Sequence, residues 1–264
     1  MNKFTLGADP EVFMKDAQDS FFSAIGVVGG SKHHPRLLLE LGDGFAVQED
    51  NVAVEYNIPP AATVEQFQNY IQRAMSYLSD MVAQNGLKFV NVSATNEFPE
   101  WQLQDPRAQE FGCDPDFNAW ENGRRNPRPK ASDQSLRSCG GHVHVGYKFK
   151  AKKDVIKFIK YLDLFLLVPA QLMDNGKLRM ELYGKPGAFR FKPYGTEYRS
   201  LSNFWIFDSK YQKWVWDSVD RAVHAFENDE ILIDQERDMI MDAIMNSNKH
   251  AVDSLVYRHN LLVV

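Results

Sequence analysis

Cys139-Gly140-Gly141-His142-Val143-His144-Val145-Gly146 sets two imidazoles two residues apart, interleaved with valines and flanked by glycines. On an extended strand, side chains at i and i+2 share one face. The valines then turn toward a core, and His142 and His144 turn the other way. The same spacing recurs three times. Asp9 and Glu11 stand in Gly7-Ala8-Asp9-Pro10-Glu11-Val12-Phe13. Glu55 and Asn57 stand in Val52-Ala53-Val54-Glu55-Tyr56-Asn57-Ile58-Pro59-Pro60. Glu197 and Arg199 stand in Tyr194-Gly195-Thr196-Glu197-Tyr198-Arg199-Ser200-Leu201. A solvated strand face usually mixes Lys, Thr, Ser and Glu. These pairs instead concentrate carboxylates, imidazoles, an amide and a guanidinium.

Each pair alone has an ordinary reading. A single His-x-His is more often two satisfied or exposed histidines than a metal site. Asp9-Pro10-Glu11 reads as a turn, and Glu55 as a surface carboxylate. Four pairs together, two of them beside glycines that permit close ligand approach, predict a site on one sheet face.

The surrounding pattern sets the fold class. Short runs at Phe4–Leu6, Glu11–Met14 and Phe21–Ile25 read as strands, with a hairpin at Asp16-Ala17-Gln18-Asp19. Arg36–Leu41 and Asn51–Ile58 read as two more, separated by Gly42-Asp43-Gly44. A helix follows from a capping box at Thr63 and Gln66. Its apolar stripe is Phe67, Tyr70, Ile71, Ala74, Leu78, Met81 and Val82, and Asn85-Gly86 ends it. Strands are expected at Phe89–Ala94, Ser138–Phe149 and Thr196–Leu201. Asp154 is expected to cap a helix that Pro169 kinks or ends. Ser209 with Gln212 reads as a second capping box, and 240–245 and 252–259 read as helical. Strands come early and helices late, without βαβ alternation, which predicts an α+β fold. Residues 105–137 hold Pro106, Pro115, Pro127 and Pro129 with little periodicity, and are expected to be a loop or lid over the site of a single 1–264 domain.

Composition excludes several classes. The chain has 264 residues, with 30 Lys plus Arg against 35 Asp plus Glu, a formal charge of −5. This mild acidity argues against a nucleic-acid binder. With 44% hydrophobic residues, disorder is excluded as well. The longest apolar stretch, Leu164 to Ala170, falls short of the roughly 20 residues a bilayer requires. The N-terminus lacks a secretory h-region. Cys113 and Cys139 give no disulfide framework and read as small packing residues, so a cytoplasmic location is expected.

Three or four carboxylates with an imidazole suit Mg²⁺ or Mn²⁺. Carboxylates held close together need such cations, or their pKa values rise. Arg179, Lys185, Arg190, Lys192 and Arg199 follow one another through a glycine-rich run, and guanidinium groups suit phosphate and carboxylate. The run lacks a P-loop pattern. Taken alone it is as readily a basic surface loop. Acid clusters beside arginines point to phosphoryl transfer by a metal-dependent transferase or ligase.

These motifs, in this order, resemble the carboxylate–amine ligases, specifically the type-2 amidoligases of tailed phages. More distantly they resemble glutamate–cysteine ligase and the catalytic domain of glutamine synthetase. The matching stretches are Gly7–Phe13, Glu55–Pro60, Phe111-Gly112-Cys113-Asp114-Pro115-Asp116, Gly140–Gly146 and Tyr183 through Arg199. They span most of the first 205 residues, and the last 60 add nothing specific.

The resemblance implies a curved, mainly antiparallel sheet with helices on its convex side. Its concave face would bind ATP and two or three Mg²⁺, or Mn²⁺ in their place. ATP would phosphorylate a carboxylate, and an amine would attack the acyl phosphate to form an amide. Asp9, Glu11, Glu55, His142 and Glu197 carry over as metal ligands. His144 carries over as a phosphate or substrate contact or a second ligand. Arg190, with Lys185 and Lys192 beside it, would hold the nucleotide phosphates. Arg199 would hold the substrate carboxylate or the transferring phosphoryl group. Glu49 and Asp50 are acids near Glu55 whose spacing departs from the glutamine synthetase pattern, and they are left out of the ligand set. Phage relatives suggest a peptide or protein as the molecule modified. Two other readings are a metal hydrolase or oxygenase built on His142 and His144, and a non-catalytic binding protein on a ligase scaffold.

Overall fold

A computed structural model describes residues 3–109, 116–129, 133–174 and 176–264. The expectation for Cys113, and most of the 111–116 motif, lie outside the described residues. In chain order the strands are β1 (Thr5–Lys15), β2 (Phe21–Phe22), β3 (Arg36–Leu37), β4 (Ala46–Asp50), β5 (Ala53–Ala61), β6 (Lys88–Val90) and β7 (Ala94–Thr95). They continue with β8 (Phe117–Asn118), β9 (Arg124–Arg125), β10 (Arg137–Ser138), β11 (Gly141–Gly146), β12 (Ala188–Lys192) and β13 (Gly195–Tyr198). The helices are α1 (Val64–Ala83), α2 (Pro106–Gln109), α3 (Lys152–Leu162), α4 (Val168–Ala170), α5 (Ser209–Glu227), α6 (Arg237–Met245) and α7 (Lys249–Arg258).

The fold is α+β. Among the described residues, 11 strands form one open sheet in the order β3-β4-β5-β1-β11-β13-β12-β8-β9, with β2 and β6 pairing off β1. The strand pairings are antiparallel. β1 is the central strand. Its even-numbered side chains Leu6, Ala8, Val12 and Met14 join a core with Val54, Tyr56, Val143, Val145 and Phe189. Helices close this core from that side, α1 through Phe67, Ile71, Ala74, Leu78 and Val82, and α5 through Trp214, Val215 and Val219. The odd-numbered residues of β1, Asp9 and Glu11 among them, are left on the opposite face. Part of that face is covered by a small second core of Phe13, Phe21, Val52, Ala53, Phe98, Ala108 and Cys139.

Several boundaries differ from the sequence reading, each for a local reason. Phe4–Leu6 and Glu11–Met14 are one strand, which runs through Pro10 opposite Gly141. Glu11 donates its N–H to Gly140 O at 2.8 Å on the β11 side. The missing N–H of Pro10 therefore falls on the β5 side, so a central strand tolerates the proline for one ladder bond. β3 is only two residues long, and a 3-10 turn follows at Leu39–Leu41. Between the two strands expected at 36–41 and 51–58 lies β4, which pairs along β5. The strand expected over 138–149 divides, with β10 pairing to β7 and β11 to β1.

Among the helices, Thr63 caps α1 as expected, accepting from Gln66 N at 3.3 Å. Asp154 sits one turn inside α3 and accepts from Ala151 N at 3.0 Å, so it is the third helical residue rather than the cap. Asp208, not Ser209, caps α5, accepting from Lys210 N at 2.9 Å. A π-helical turn at Asp163–Leu167 leads into α4, which ends at Ala170 just past Pro169. Within 105–137, the described residues 116–129 extend the sheet as β8 and β9 instead of remaining irregular. Among the described residues no helix is long and apolar enough to cross a membrane.

Candidate functional site

Antiparallel register turns the sequence pairs into a grid. Asp9 lies opposite His142, Glu11 opposite Glu55, His144 opposite Glu197, and Glu197 opposite Arg190. Directly opposed residues project to the same face. Five strands thus bring Asp9, Glu11, Glu55, His142, His144, Arg190, Glu197 and Arg199 onto one surface. Asn57 follows Glu55 on the same face of β5.

Two three-residue groups stand out. Ligand atoms of Asp9, His144 and Glu197 all lie within 4.8 Å of one another, as do those of Glu11, Asp50 and Glu55. His142 lies between the groups, its Nδ1 3.3 Å from Asp9 Oδ1 and its Nε2 3.9 Å from Glu11 Oε1. His144 Nε2 lies 3.0 Å from Asp9 Oδ2, and His144 Nδ1 shares a 2.6 Å hydrogen bond with Tyr194 Oη. Gly140 leaves room here, because a Cβ on it would collide with the His142 ring.

The electrostatics differ between the groups. Burial works against a charge on Asp9, but His144 and His142 outweigh it and hold the carboxyl well below its usual range. Burial also opposes protonation of His144, yet Asp9 keeps its pKa raised. His142 is pushed down to about 4 by burial and then by Arg199. Burial and Asp9 press Glu197 upward, but Arg199 and Arg190 win and bring it to about 2. In the other group, burial and the charge of Asp50 push Glu11 up to about 8. Burial, followed by Asp9, Asp50 and Glu11, raises Glu55 well above a normal carboxyl. Burial raises Asp50 too, against the pull of Arg199 and Lys32. Three buried carboxylates crowded in this way are stabilised by a cation. An all-oxygen set fits a hard divalent ion, and two carboxylates with one imidazole fit Mg²⁺ or Mn²⁺.

The cations are placed unevenly. Arg199 donates from Nη1 to Glu197 Oε1, and its Nε lies 3.6 Å from Asp116 Oδ2. Arg190 Nη1 is 3.4 Å from Glu197 Oε1, and Lys192 Nζ is 2.7 Å from Glu197 Oε2. Lys185 is not gathered with them. It is exposed, and its backbone carbonyl accepts from Ser200 Oγ at 2.9 Å.

Four residues outside the expected set belong to this surface. Asp50 completes the all-carboxylate group. Gln48 donates to Glu55 Oε2 at 2.6 Å. Asp116 reaches Arg199, and Arg179 lines the adjoining cavity. Gln48 and Asp50 are themselves two residues apart on β4, the same signal as the other pairs. Glu49, the other acid left out, serves the scaffold. It accepts from Gly26 N and Gly29 N at 2.8 and 3.0 Å and pairs with Arg107 at 3.0 Å.

A family model matches residues 132–249, and its description is phage phiEco32-like COOH.NH2 ligase-type 2. That is a carboxylate–amine ligase family. The match supports the resemblance read from the motifs and points to a carboxylate–amine ligase enzyme. The ligase match takes in His142, His144, Arg190, Glu197 and Arg199 and continues through α5 and α6. It differs from the span expected from the motifs, since it begins after Asp9, Glu11 and Glu55 and extends beyond residue 205. No match was found among curated proteins.

Proposed function

We propose that the chain is an ATP-dependent carboxylate–amine ligase that works through an acyl phosphate. The observation that carries this reading is the pair of acid-lined groups on one sheet face, with Arg190, Lys192 and Arg199 beside them. Asp9, His144 and Glu197 would hold one divalent ion, and Glu11, Asp50 and Glu55 another, with His142 between them. Bound Mg²⁺ or Mn²⁺ would neutralise the charge that builds on the transferring phosphoryl group.

The remaining chemistry belongs to side chains. Arg190 and Lys192 take the nucleotide phosphates. A substrate carboxylate oxygen attacks the γ-phosphorus, the bond to the ADP oxygen breaks, and an acyl phosphate forms. Arg199, pre-oriented by Glu197 and Asp116, holds the reacting carboxylate. The amine nitrogen then attacks the carbonyl carbon, the bond to phosphate breaks, and the extra proton of the nitrogen passes to the departing phosphate. The acyl phosphate must be kept from water until the amine reaches it.

The test is ADP release with Mg²⁺ across a panel of acids and amines. Release that requires both partners, with the new amide seen by mass spectrometry, supports the reading. ATP-independent turnover with tightly held zinc or iron would favour a hydrolase or oxygenase. That reading has less support, because each three-residue group holds at most one histidine.

A further inference from the structure

Beside the Glu11, Asp50 and Glu55 group lies a cavity of about 290 Å³, at the small end of the usual ligand-pocket range of roughly 300–1,000 Å³. Glu11 and Asp50 line it together with Arg137, Arg179 and Arg199. These arginines are 4%, 3% and 4% exposed. The exposed Lys32 and His33 stand on its rim.

Arg179 is the informative member. Its Nη1 donates to Ser200 O at 3.0 Å and its Nη2 to Arg199 O at 3.3 Å, while its buried Nε has no hydrogen-bond partner. No carboxylate lies within ion-pair distance of it among the described residues. Its hydrogen bonds go to neutral carbonyls, and its attractive charges, Glu11 and Asp174, act from beyond that distance, which leaves a buried guanidinium costly. The backbone nevertheless makes room for it. A Cβ on Gly184, which has φ +78°, would collide with its Nη1, and one on Gly140 would come within 2.8 Å of its Nη2. Arg199 differs, since Glu197 and Asp116 face it. Once cations neutralise Glu11 and Asp50, the three arginines leave the cavity with an excess of positive charge.

We propose that this cavity takes the acid substrate, and that the acid is a small molecule with a second anionic group seated against Arg179. The inference rests on the ligase reading and extends it. Arg199 serves the carboxylate that reacts, and Arg179 serves the one that does not. Phe13, Ile25 and Val52 line the same cavity and suit the short apolar spacer between two carboxylates. An acid held whole in this cavity leaves the expected peptide or protein as the amine partner.

The experiment is titration calorimetry of the full chain with glutarate and with valerate, its single-carboxylate counterpart. Each is measured with Mg²⁺, with and without a non-hydrolysable ATP analogue. Glutarate is expected to bind at least about tenfold tighter than valerate, as one buried charge-assisted pair allows. Arg179→Lys, which keeps the charge but loses the fork, is expected to reduce that preference, and so is Lys32→Ala. Lys32 is on an exposed loop, so its variant tests the cavity even if a change at Arg179 prevents folding. Equal binding of the two acids would overturn the proposal, as would a preference untouched by both variants. A glutamate-ended peptide that binds as tightly as glutarate would overturn the small-acid assignment. Failure of the ATP analogue to bind, with the glutarate preference intact, would instead refute the nucleotide reading.

Discussion

Single residues already divide the surface into two chemistries. Glu197 is held ionised by arginines, whereas Glu11, raised to about 8, is protonated at neutral pH until a cation arrives. Glu11 has a folded pKa above its ordinary 4.5, so its contribution to stability is full below about 4.5 and is lost as pH rises through about 8. Without metal, the chain is expected to lose stability over that window, and Mg²⁺ to restore it at the alkaline end. Glu11→Gln should flatten the metal-free profile. Denaturant melts at pH 5 and pH 8.5, with and without Mg²⁺, read this out; a metal-free wild type that is more stable at pH 8.5 would contradict it. Gln48 acts through its 2.6 Å bond to Glu55. Gln48→Leu is expected to weaken metal binding by about 10- to 100-fold, as outer partners of metal ligands usually do. Calorimetry with Mn²⁺ showing unchanged affinity would remove Gln48 from that role.

At the scale of elements, most of the surface was legible because a strand's two-residue period survives translation into structure. His142 with His144, Asp9 with Glu11, and Glu197 with Arg199 are brought together by register that the strand pairings supply. Asp50 was harder to place because β4 lies between two glycine-bounded segments and reads as part of their connection. Pro10 hid the continuity of β1, since a proline argues against a central strand even where one missing ladder bond is tolerable. Lys185 illustrates the converse. A basic residue in the right run of sequence still points wherever its turn directs it. Helix starts were legible to within three residues, closest at α1 and α5. Asp208 rather than Ser209 carries the α5 cap, so Asp208→Ala is expected to cost about 1 kcal/mol and Ser209→Ala much less. Urea melts of the two variants decide between them, and equal costs would return the cap to Ser209.

Across the whole molecule, the sheet keeps two faces apart. Helices and a continuous core occupy one face, and charge occupies the other, with the small Phe13 cluster sealing part of it. The α+β class was readable from strands early and helices late. The strand order was not readable, because it depends on contacts such as β1 with β11 that join distant parts of the chain. The formal charge of −5 conceals this division, since several of the acids counted in it face one another across a few ångströms. ADP release by the purified chain with Mg²⁺ and ATP, scanned over acids and amines with mass spectrometry of the product, decides whether the two acid groups serve a ligase. Release is expected only when an acid and an amine are both present, with an amide as product and a loss of at least about 100-fold in rate for Glu11→Ala or His142→Ala. Full Mg²⁺-dependent turnover by either variant, or ADP release indifferent to the amine with no amide formed, would rule out a ligase site on this face.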